Sequence, residues 1–127
     1  MELGGPALMA LPPEIGNLTN LTRLFLHSTQ LTELPPEIGN LTSLTILDLQ
    51  RNRVSELPPE IINLINLTLL DLEHNRLNGL PSGFSRLGNL ELLDVTANPL
   101  KVMTPEMKLL MDQGVANFHY DPVFGFV

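Results

Sequence analysis

Apolar residues recur every 23 positions along most of this chain of 127 residues. The clearest copy of the repeating unit is LTILDLQRNRVSELPPEIINLIN, at residues 44–66. Self-similarity at a fixed period of this length is typical of solenoids, in which each unit stacks on its neighbours. We call the residues that recur in each copy the frame. In this copy and the next the frame consists of Leu44, Leu47, Leu49, Asn52, Val54, Leu57, Pro58, Ile61 and Leu64, then Leu67, Leu70, Leu72, Asn75, Leu77, Leu80, Pro81, Phe84 and Leu87.

The frame predicts a single domain over residues 1–127, with more units than the roughly three that a solenoid needs for stability. No polar segment caps the N-terminal edge in the sequence. We therefore expect this edge to be frayed, covered by another molecule, or continuous with a longer chain. The predicted divisions are a partial N-terminal repeat at 1–20, full repeats at 21–43, 44–66 and 67–89, a last repeat at 90–103, and a C-terminal cap helix and tail at 104–127.

Each full unit has two halves with different patterns. The first half, as in LTILDLQRN, alternates leucine with variable residues, which predicts a strand with one buried face in a parallel sheet. The second half, as in LPPEIGNL, contains proline, which lacks a backbone donor and ends the strand. We expect a short helical or 3₁₀ turn there, anchored by Ile38, Ile61 and Phe84. Because these turns are wider than strands, the sheet should lie on the inner, concave face.

Asparagine follows the strand in three units, at Asn52, Asn75 and Asn98, with Thr29 in the first. An amide side chain offers donors and an acceptor. These residues are therefore predicted to satisfy backbone groups where the chain turns, and the shorter Thr29 is predicted to do so only in part.

The pattern changes after the last repeat. The segment TPEMKLLMDQGVANF predicts a helix with Thr104 as N-cap and Pro105 at the first helical position. We expect this helix to close the C-terminal end of the core. The tail that follows, HYDPVFGFV, either continues the cap or docks Phe124, Phe126 and Val127 elsewhere. The predicted apolar face of the helix is Met107, Leu110, Met111, Gly114, Val115 and Phe118.

The frame LxxLxLxxNxLxxLPxxIxxL resembles the leucine-rich repeat family over roughly residues 8–103. The LPPEIGNL segments are similar to the 23-residue repeats of intracellular plant, bacterial and Ras-associated members. The segment PEMKLLMDQG is similar to the one that closes the repeats in Roco-type proteins. The resemblance implies an α/β fold, a right-handed leucine-rich repeat solenoid (horseshoe). It also implies that a parallel β-sheet on the concave face binds proteins, with 3₁₀ turns on the convex face.

Strand alternation predicts which side chains face a partner. The third, fifth and seventh positions of each strand segment should point out of the concave sheet. They give twelve candidate partner-binding residues: Arg23, Ile46, Leu69 and Leu92 in the third row, Phe25, Asp48, Asp71 and Asp94 in the fifth, and His27, Gln50, Glu73 and Thr96 in the seventh.

Two of these rows have a distinct character. Ile46, Leu69 and Leu92 form, with the large exposed aromatic Phe25, an apolar strip beside the three aspartates. Exposed apolar surface next to polar groups is typical of binding faces. Like charges on neighbouring strands repel, so a partner with a basic surface, or a cation, would relieve them. The alternative is that LDL is ordinary repeat sequence. We expect Asp-to-Ala substitutions there to weaken binding without destabilising the fold.

Composition excludes several functions. A net charge of −7 with no basic cluster argues against nucleic-acid binding. There is no cysteine, no signal peptide, and no apolar run of membrane-spanning length, which favours a cytoplasmic protein that does not enter a membrane. We expect no catalytic, cofactor-binding or metal-binding residues. His27 and His74 lie two strands apart with acidic residues nearby, but side chains of a flat sheet rarely converge on an ion.

These observations predict a non-enzymatic protein-interaction scaffold that binds a partner protein on its concave sheet, with a role in intracellular signalling. Two alternatives remain. The chain could be a structural or assembly module that self-associates through its uncapped N-terminal edge. It could instead be the detached repeat region of a larger signalling enzyme.

Overall fold

The computed structural model describes residues 1–2, 10–100, 102–103, 105–113, 117–121 and 125–126. Each of the three full repeats contributes one short strand followed by one 3₁₀ helix, as the two halves of the repeat predict. The strands are β1 (Arg23–Phe25), β2 (Ile46–Asp48), β3 (Leu69–Asp71), β4 (Leu92–Asp94), β5 (Val102–Met103), β6 (Asn117–His119) and β7 (Gly125–Phe126). The helices are η1 (Pro13–Asn17), η2 (Pro36–Asn40), η3 (Pro59–Asn63), η4 (Phe84–Arg86) and α1 (Pro105–Asp112).

The main sheet is parallel, with strand order β1-β2-β3-β4-β6, and β5 pairs separately with β7. Within the repeats the pairing register equals the sequence period, since Leu24 lies beside Leu47, Leu47 beside Leu70, and Leu70 beside Leu93. All four of these leucine side chains are fully buried. The parallel sheet and the 3₁₀ turns that the pattern predicts are therefore confirmed.

The opposite wall of the core comes from the 3₁₀ helices. Ile38, Ile61 and Phe84 are fully buried, as predicted for the anchors of this half of the repeat. A proline at the first position suits η1, η2 and η3, because its fixed φ is helical and its missing N–H would have no helical partner. The core is one continuous cluster that runs between the sheet and this wall.

A ladder of side-chain amides closes the turn after each strand. The Oδ1 of Asn52, Asn75 and Asn98 accepts a hydrogen bond from a backbone N–H of the preceding repeat, at 2.9–3.1 Å. Their Nδ2 groups donate to a carbonyl of the preceding strand segment at 2.8 Å. In the first full repeat the Thr29 hydroxyl donates a hydrogen bond to the carbonyl of Leu26, which belongs to the same repeat. The predicted role of the amides is confirmed, whereas the lesser role of Thr29 stays a prediction, because its counterpart partners in the preceding repeat lie outside the described residues.

Successive 3₁₀ helices approach one another without room for a side chain. A Cβ atom added to Gly39 would lie 2.8 Å from the Cβ and the carbonyl oxygen of Glu60. Gly16 is similarly close to Glu37. In the third helix the glycine position holds Ile62, and the facing residue is now Gly83, whose φ of 78° also favours glycine. A bulky residue on one helix is thus matched by a glycine on the next. This packing explains why isoleucine can replace glycine at position 62.

This close approach gives a stability prediction. Gly39→Ala should destabilise the protein by about 1–3 kcal/mol, because the methyl group would overlap backbone atoms that can move only if two repeats separate. The matched control is Gly79→Ala, since a Cβ there would meet nothing within 4 Å. Urea denaturation followed by circular dichroism measures both. Equal effects of the two substitutions would contradict the packing argument.

The C-terminal helix is shorter than predicted. It begins at Pro105 as expected, and Met107 and Leu110 are buried in the core, but it ends at Asp112. Phe118 was expected on the helix face and instead lies in strand β6, where its ring packs 5.2 Å from that of Tyr120. Pairing with β6 covers the edge of β4, whose backbone groups would otherwise lack partners. Closure of the core by this helix stays a prediction.

Several of the C-terminal residues named above, Thr104, Gly114, Val115, Phe124 and Val127, lie outside the described residues. The helix is tied to the last full repeat, 67–89, by Glu106, whose carboxylate accepts hydrogen bonds from the backbone N–H groups of Gly83 and Ser85 at 3.1 and 3.4 Å.

At the other end of the sheet, the first two residues pair with β1. Glu2 forms a parallel bridge with Phe25, and the Phe25 N–H donates to the Met1 carbonyl at 2.8 Å. The spacing of this bridge is again the repeat period. These contacts cover part of an edge that the sequence left without a cap.

Candidate functional site

The outward face of the sheet carries the candidate residues in straight rows. Arg23 pairs in register with Ile46, which pairs with Leu69 and then Leu92. Two residues further along each strand, a second row contains Phe25, Asp48, Asp71 and Asp94. Neighbours within a row are separated by about 4.8 Å, the distance between hydrogen-bonded strands.

The exposure of these rows is graded. Ile46, Leu69 and Leu92 are half-buried, and Arg23 is exposed. Phe25, which the sequence suggests as a large exposed aromatic, is also half-buried, since Glu2 pairs along its strand. The strip of Ile46, Leu69 and Leu92 is therefore a shallow apolar surface on the face of the sheet.

The three aspartates, which we call the Asp ladder (Asp48, Asp71 and Asp94), share a hydrogen-bonding pattern. The Oδ1 of each accepts the backbone N–H two residues later, at Gln50, Glu73 and Thr96, over 3.1, 3.0 and 2.9 Å respectively. One carboxylate oxygen thus stabilises the turn out of the strand. An asparagine Oδ1 could accept the same bond, so the turn does not require the negative charge.

Histidines lie at both ends of the Asp ladder. The Nδ1 of His27 is 3.5 Å from Asp48 Oδ2, and its Nε2 is 3.7 Å from Glu2. At the other end, the Nδ1 of His119 is 3.7 Å from Asp94 Oδ2. Asp71 lies between the two pairs, in the middle of the ladder.

The environment of Asp71 opposes its ionisation. Burial is the main cause that raises the pKa of this carboxyl above its ordinary value. The hydrogen bond from the Glu73 backbone acts in the opposite direction, while the charges of Asp94 and Asp48 raise the pKa further. The folded protein therefore holds negative charge here at a cost in free energy.

This cost gives a pH-dependent prediction for Asp71→Asn. Because the folded pKa lies above the unfolded one, the wild type is penalised once the pH rises through the folded pKa, and the penalty is absent below the ordinary value of 3.8. At pH 7 Asp71→Asn should be more stable than wild type by roughly 0.2–1 kcal/mol for each like-charged neighbour relieved. The difference should close as the pH falls below 3.8.

Thermal unfolding at several pH values measures this difference, with Glu56→Gln as a control that removes an exposed charge away from the sheet face. A difference for Asp71→Asn that is independent of pH would contradict the argument. Asp71→Ala is a poorer test. Alanine has no oxygen to accept the hydrogen bond from the Glu73 N–H. The loss of this bond lowers stability for a reason unrelated to charge, which the expectation of an unchanged fold for Asp-to-Ala left out.

The seventh-position residues extend the acidic surface. One carboxylate oxygen from each of Asp71, Glu73 and Asp94 lies within 4.8 Å of the others. These three half-buried groups make the middle of the face its most negative point, while Gln50 and Thr96 add polar groups on either side. The absence of a metal, cofactor or catalytic site stays a prediction.

His119 is a further candidate site residue, which the sequence pattern predicted only as part of the C-terminal tail. In the structure it pairs with Asp94 and continues the row of the Asp ladder. The 23-residue period does not predict this position, because Asp94 and its partner His119 are 25 residues apart in sequence and α1 lies between them. The alternation of Phe118 and Tyr120 with polar neighbours was the available signal for a strand.

A separate open groove of about 1010 Å³ lies where the chain leaves the strands and enters the 3₁₀ helices. Its lining includes Glu33, Ser55, Glu56, Leu57 and Asn78 from three successive repeats. None of the twelve candidate residues lines this groove. It is therefore a different surface from the sheet face.

Among the described residues, no helix has both the length and the apolar character needed to cross a membrane. A search of curated proteins gave no significant match. The solved structures similar to this chain include the leucine-rich repeat protein LIC12759 of Leptospira interrogans, with a TM-score of 0.82 and 37% identity. The alignment covers 94% of this chain and 30% of that one, so the chain spans less than a third of that relative.

Two plant structures are also similar. The leucine-rich repeat ectodomain of the receptor kinase SOBIR1 from Arabidopsis thaliana has a TM-score of 0.75 and 30% identity, over 92% of this chain and 65% of that one. The ectodomain of the Arabidopsis receptor kinase GASSHO1/SCHENGEN3, solved in complex with CASPARIAN STRIP INTEGRITY FACTOR 2, has a TM-score of 0.73 and 33% identity. That alignment covers 92% of this chain and 14% of the other.

A family model described as a leucine-rich repeat region matches residues 10–111. This match covers all four repeats with an intact strand, and it agrees with the parallel sheet, the 3₁₀ helices and the similar solved structures. The chain belongs to the leucine-rich repeat family.

Proposed function

We propose that this protein is a non-enzymatic interaction module that binds a partner protein with a basic surface on the face of its sheet. The leucine-rich repeat fold generally mediates protein–protein interaction. The observation that carries the proposal for this chain is the Asp ladder, in which three carboxylates are aligned in register on neighbouring strands.

The energetic cost of the ladder supports this proposal. Asparagine would preserve each turn without repulsion, so the three negative charges are more than the fold requires. Lysine or arginine side chains of a partner would remove the repulsion and form charge-assisted hydrogen bonds with the Oδ2 atoms. The strip of Ile46, Leu69 and Leu92 beside the ladder supplies apolar surface for the same contact.

A role in intracellular signalling and a cytoplasmic location belong to the same proposal. The solved relatives are longer than this chain, so the module could serve as the recognition part of a larger signalling protein. The proposal includes no nucleic acid or membrane among the partners.

The test begins with affinity capture on the immobilised protein, identification of the retained proteins, and calorimetric titration of each purified candidate. Asp71→Lys should weaken binding of the true partner at least about tenfold, because it places a positive charge in the centre of the face. Phe25→Ala should weaken it less, since Phe25 lies at the end of the row and is half-buried.

The matched control is Glu56→Lys, which makes the same change of charge at an exposed residue away from the sheet face. It should leave the affinity within about twofold of wild type. If Glu56→Lys weakens binding as much as Asp71→Lys, the attraction depends on overall charge and the proposed site is wrong. If neither weakens it, the partner binds elsewhere.

Self-association through the N-terminal edge is the second candidate. The observation that favours it is the exposure of two large apolar side chains in the first, partial repeat, Met1 and Leu18. Sedimentation velocity decides it, because a module that stacks through this edge should show a dimer at micromolar concentration, and a monomer there would refute it.

A further inference from the structure

The spacing of the two rows on the sheet face points to the secondary structure of the partner. We propose that the partner presents an amphipathic α-helix lying across the strands, with a basic stripe on the Asp ladder and an apolar stripe on Ile46, Leu69 and Leu92. This inference rests on the proposed function and adds to it the class of partner segment.

The distances along the ladder favour a helix over an extended segment. The three aspartates lie on neighbouring strands, so the ladder spans two strand spacings, or about 9.6 Å. Helix residues at i, i+4 and i+7 lie on one face and span about 10.5 Å. Residues at i, i+2 and i+4 of an extended segment span about 13.4 Å. The helix therefore matches the ladder to about 1 Å, whereas the extended segment exceeds it by almost 4 Å.

The distance between the two rows is also compatible with a helix. Ile46 and Asp48 are two residues apart on the same strand, which separates the rows by about 6.6 Å. Stripes on a helix that are offset by one residue lie about 100° apart around its axis. At a helix radius of about 5 Å they are roughly 8 Å apart, within about 1–1.5 Å of the row spacing, so both stripes can contact their rows at once.

The ends of the ladder limit the length of the basic stripe. In the same row, Phe25 follows Asp48 at one end and His119 follows Asp94 at the other, so the run of aligned aspartates stops at three. The fit is therefore to a basic stripe of three residues, one per turn, and not to a long polybasic tail. Asp71, between the two histidine-flanked aspartates, would receive the central basic residue.

Designed peptides test this inference directly, before the natural partner is identified. The helical probe is an alanine-based peptide of about 18 residues, long enough to be appreciably helical in water, with arginine at i, i+4 and i+7 and leucine at i−1, i+3 and i+6. A second peptide of otherwise identical sequence has a central alanine replaced by proline, which breaks the helix. A third has the same composition with the arginines at alternate positions, as in a strand.

Fluorescence anisotropy at about 0.15 M salt gives the Kd of each peptide for wild type, Asp71→Asn and the control Glu56→Gln. We expect the helical peptide to bind at least about tenfold more tightly than the other two. Asp71→Asn should weaken it about fivefold, and Glu56→Gln should not change it. Circular dichroism of the free peptides establishes their helicity.

The outcomes separate this inference from the proposed function. If the alternating peptide binds as tightly as the helical one and also depends on Asp71, the partner is not helical but the ladder still binds a basic segment. If binding of no peptide depends on Asp71, the ladder is not a binding site and both proposals fail. If the helical peptide does not bind at about 1 mM, the helix inference is wrong.

Discussion

Replacement of Asn52 by leucine is expected to destabilise the protein by about 2–6 kcal/mol. In the folded protein, Asn52 Oδ1 accepts hydrogen bonds from the backbone N–H groups of Thr29 and Leu31, at 3.0 and 2.9 Å. Leucine has a similar size but no acceptor, so both buried donors would lose their partner at about 1–3 kcal/mol each. The carbonyl of Leu26 would still receive the Thr29 hydroxyl, which limits the loss on that side.

Urea denaturation measures the free energy of unfolding of Asn52→Leu. The control is Asn66→Ala, which removes a 2.7 Å hydrogen bond to the carbonyl of Thr42 that also joins two repeats but is exposed to water. It should cost about 0.5 kcal/mol or less. If the two substitutions cost the same, burial of the amide ladder does not determine its contribution.

Asn52 is a better choice for this experiment than Asn75. Asn75 Oδ1 accepts from the Val54 backbone N–H, so its removal would leave fewer buried donors without a partner. The ladder is thus predicted to be strongest at its first amide, because the Asn52 backbone N–H, the counterpart of the Thr29 N–H, is bonded to the His74 carbonyl at 3.2 Å and does not depend on Asn75. A larger loss for Asn75→Leu than for Asn52→Leu would contradict this ranking.

Phe84→Ala is expected to cost about 3–5 kcal/mol, the usual range for removing a fully buried phenylalanine from a core. Phe84 occupies the anchor position that Ile38 and Ile61 hold in the preceding repeats. It is the larger residue because η4 is shorter than η3 and faces Ile62 through Gly83. We infer that the aromatic ring fills space that a longer 3₁₀ helix fills in the preceding repeats.

Phe84→Ile tests this explanation, because it restores the anchor residue of the other repeats. Phe84→Ile should lower the free energy of unfolding by about 1–1.5 kcal/mol, less than Phe84→Ala does, because isoleucine leaves only part of the space empty. The control Ile65→Ala shortens a side chain that is 54% exposed and should change stability by about 0.5 kcal/mol or less. A Phe84→Ile protein as stable as wild type would show that the ring is not needed.

Hydrogen exchange would locate the effect of Phe84→Ala. Repeats of a solenoid contact mainly their neighbours, so a cavity in one repeat should loosen that repeat and the segment beyond it before the others. We expect the amides of β4 to exchange faster than those of β2. Uniform acceleration along the sheet would instead indicate that the repeats unfold as a single unit.

Most of the repeat architecture could be predicted from local sequence. Each leucine at the fourth position of a strand segment lies beside its equivalent, because the pairing register equals the period. The amide ladder followed from the same reasoning, since Asn52, Asn75 and Asn98 occupy equivalent turns. The rows of the sheet face were likewise predictable, although their role in binding remains the proposal.

The predictions failed where the period is interrupted. Phe118 fits both a helical spacing from Leu110 and Met111 and a strand alternation with Tyr120, and the sequence offers no local means of choosing between them. Pairing with β4 decides it, because the open edge of the sheet gains hydrogen bonds that a longer helix could not supply. This choice also brings His119 into line with the Asp ladder.

Local sequence was therefore sufficient to predict the stacking unit, its buried leucines and the order of side chains on the sheet face. It was sufficient because equivalent residues in a solenoid meet equivalent neighbours, so one repeat contains the information for the next. The folded chain was needed to see the packing of Ile62 against Gly83, the end of α1 at Asp112 and the position of His119. These features depend on contacts between segments that are not equivalent, and no repeat pattern specifies such contacts.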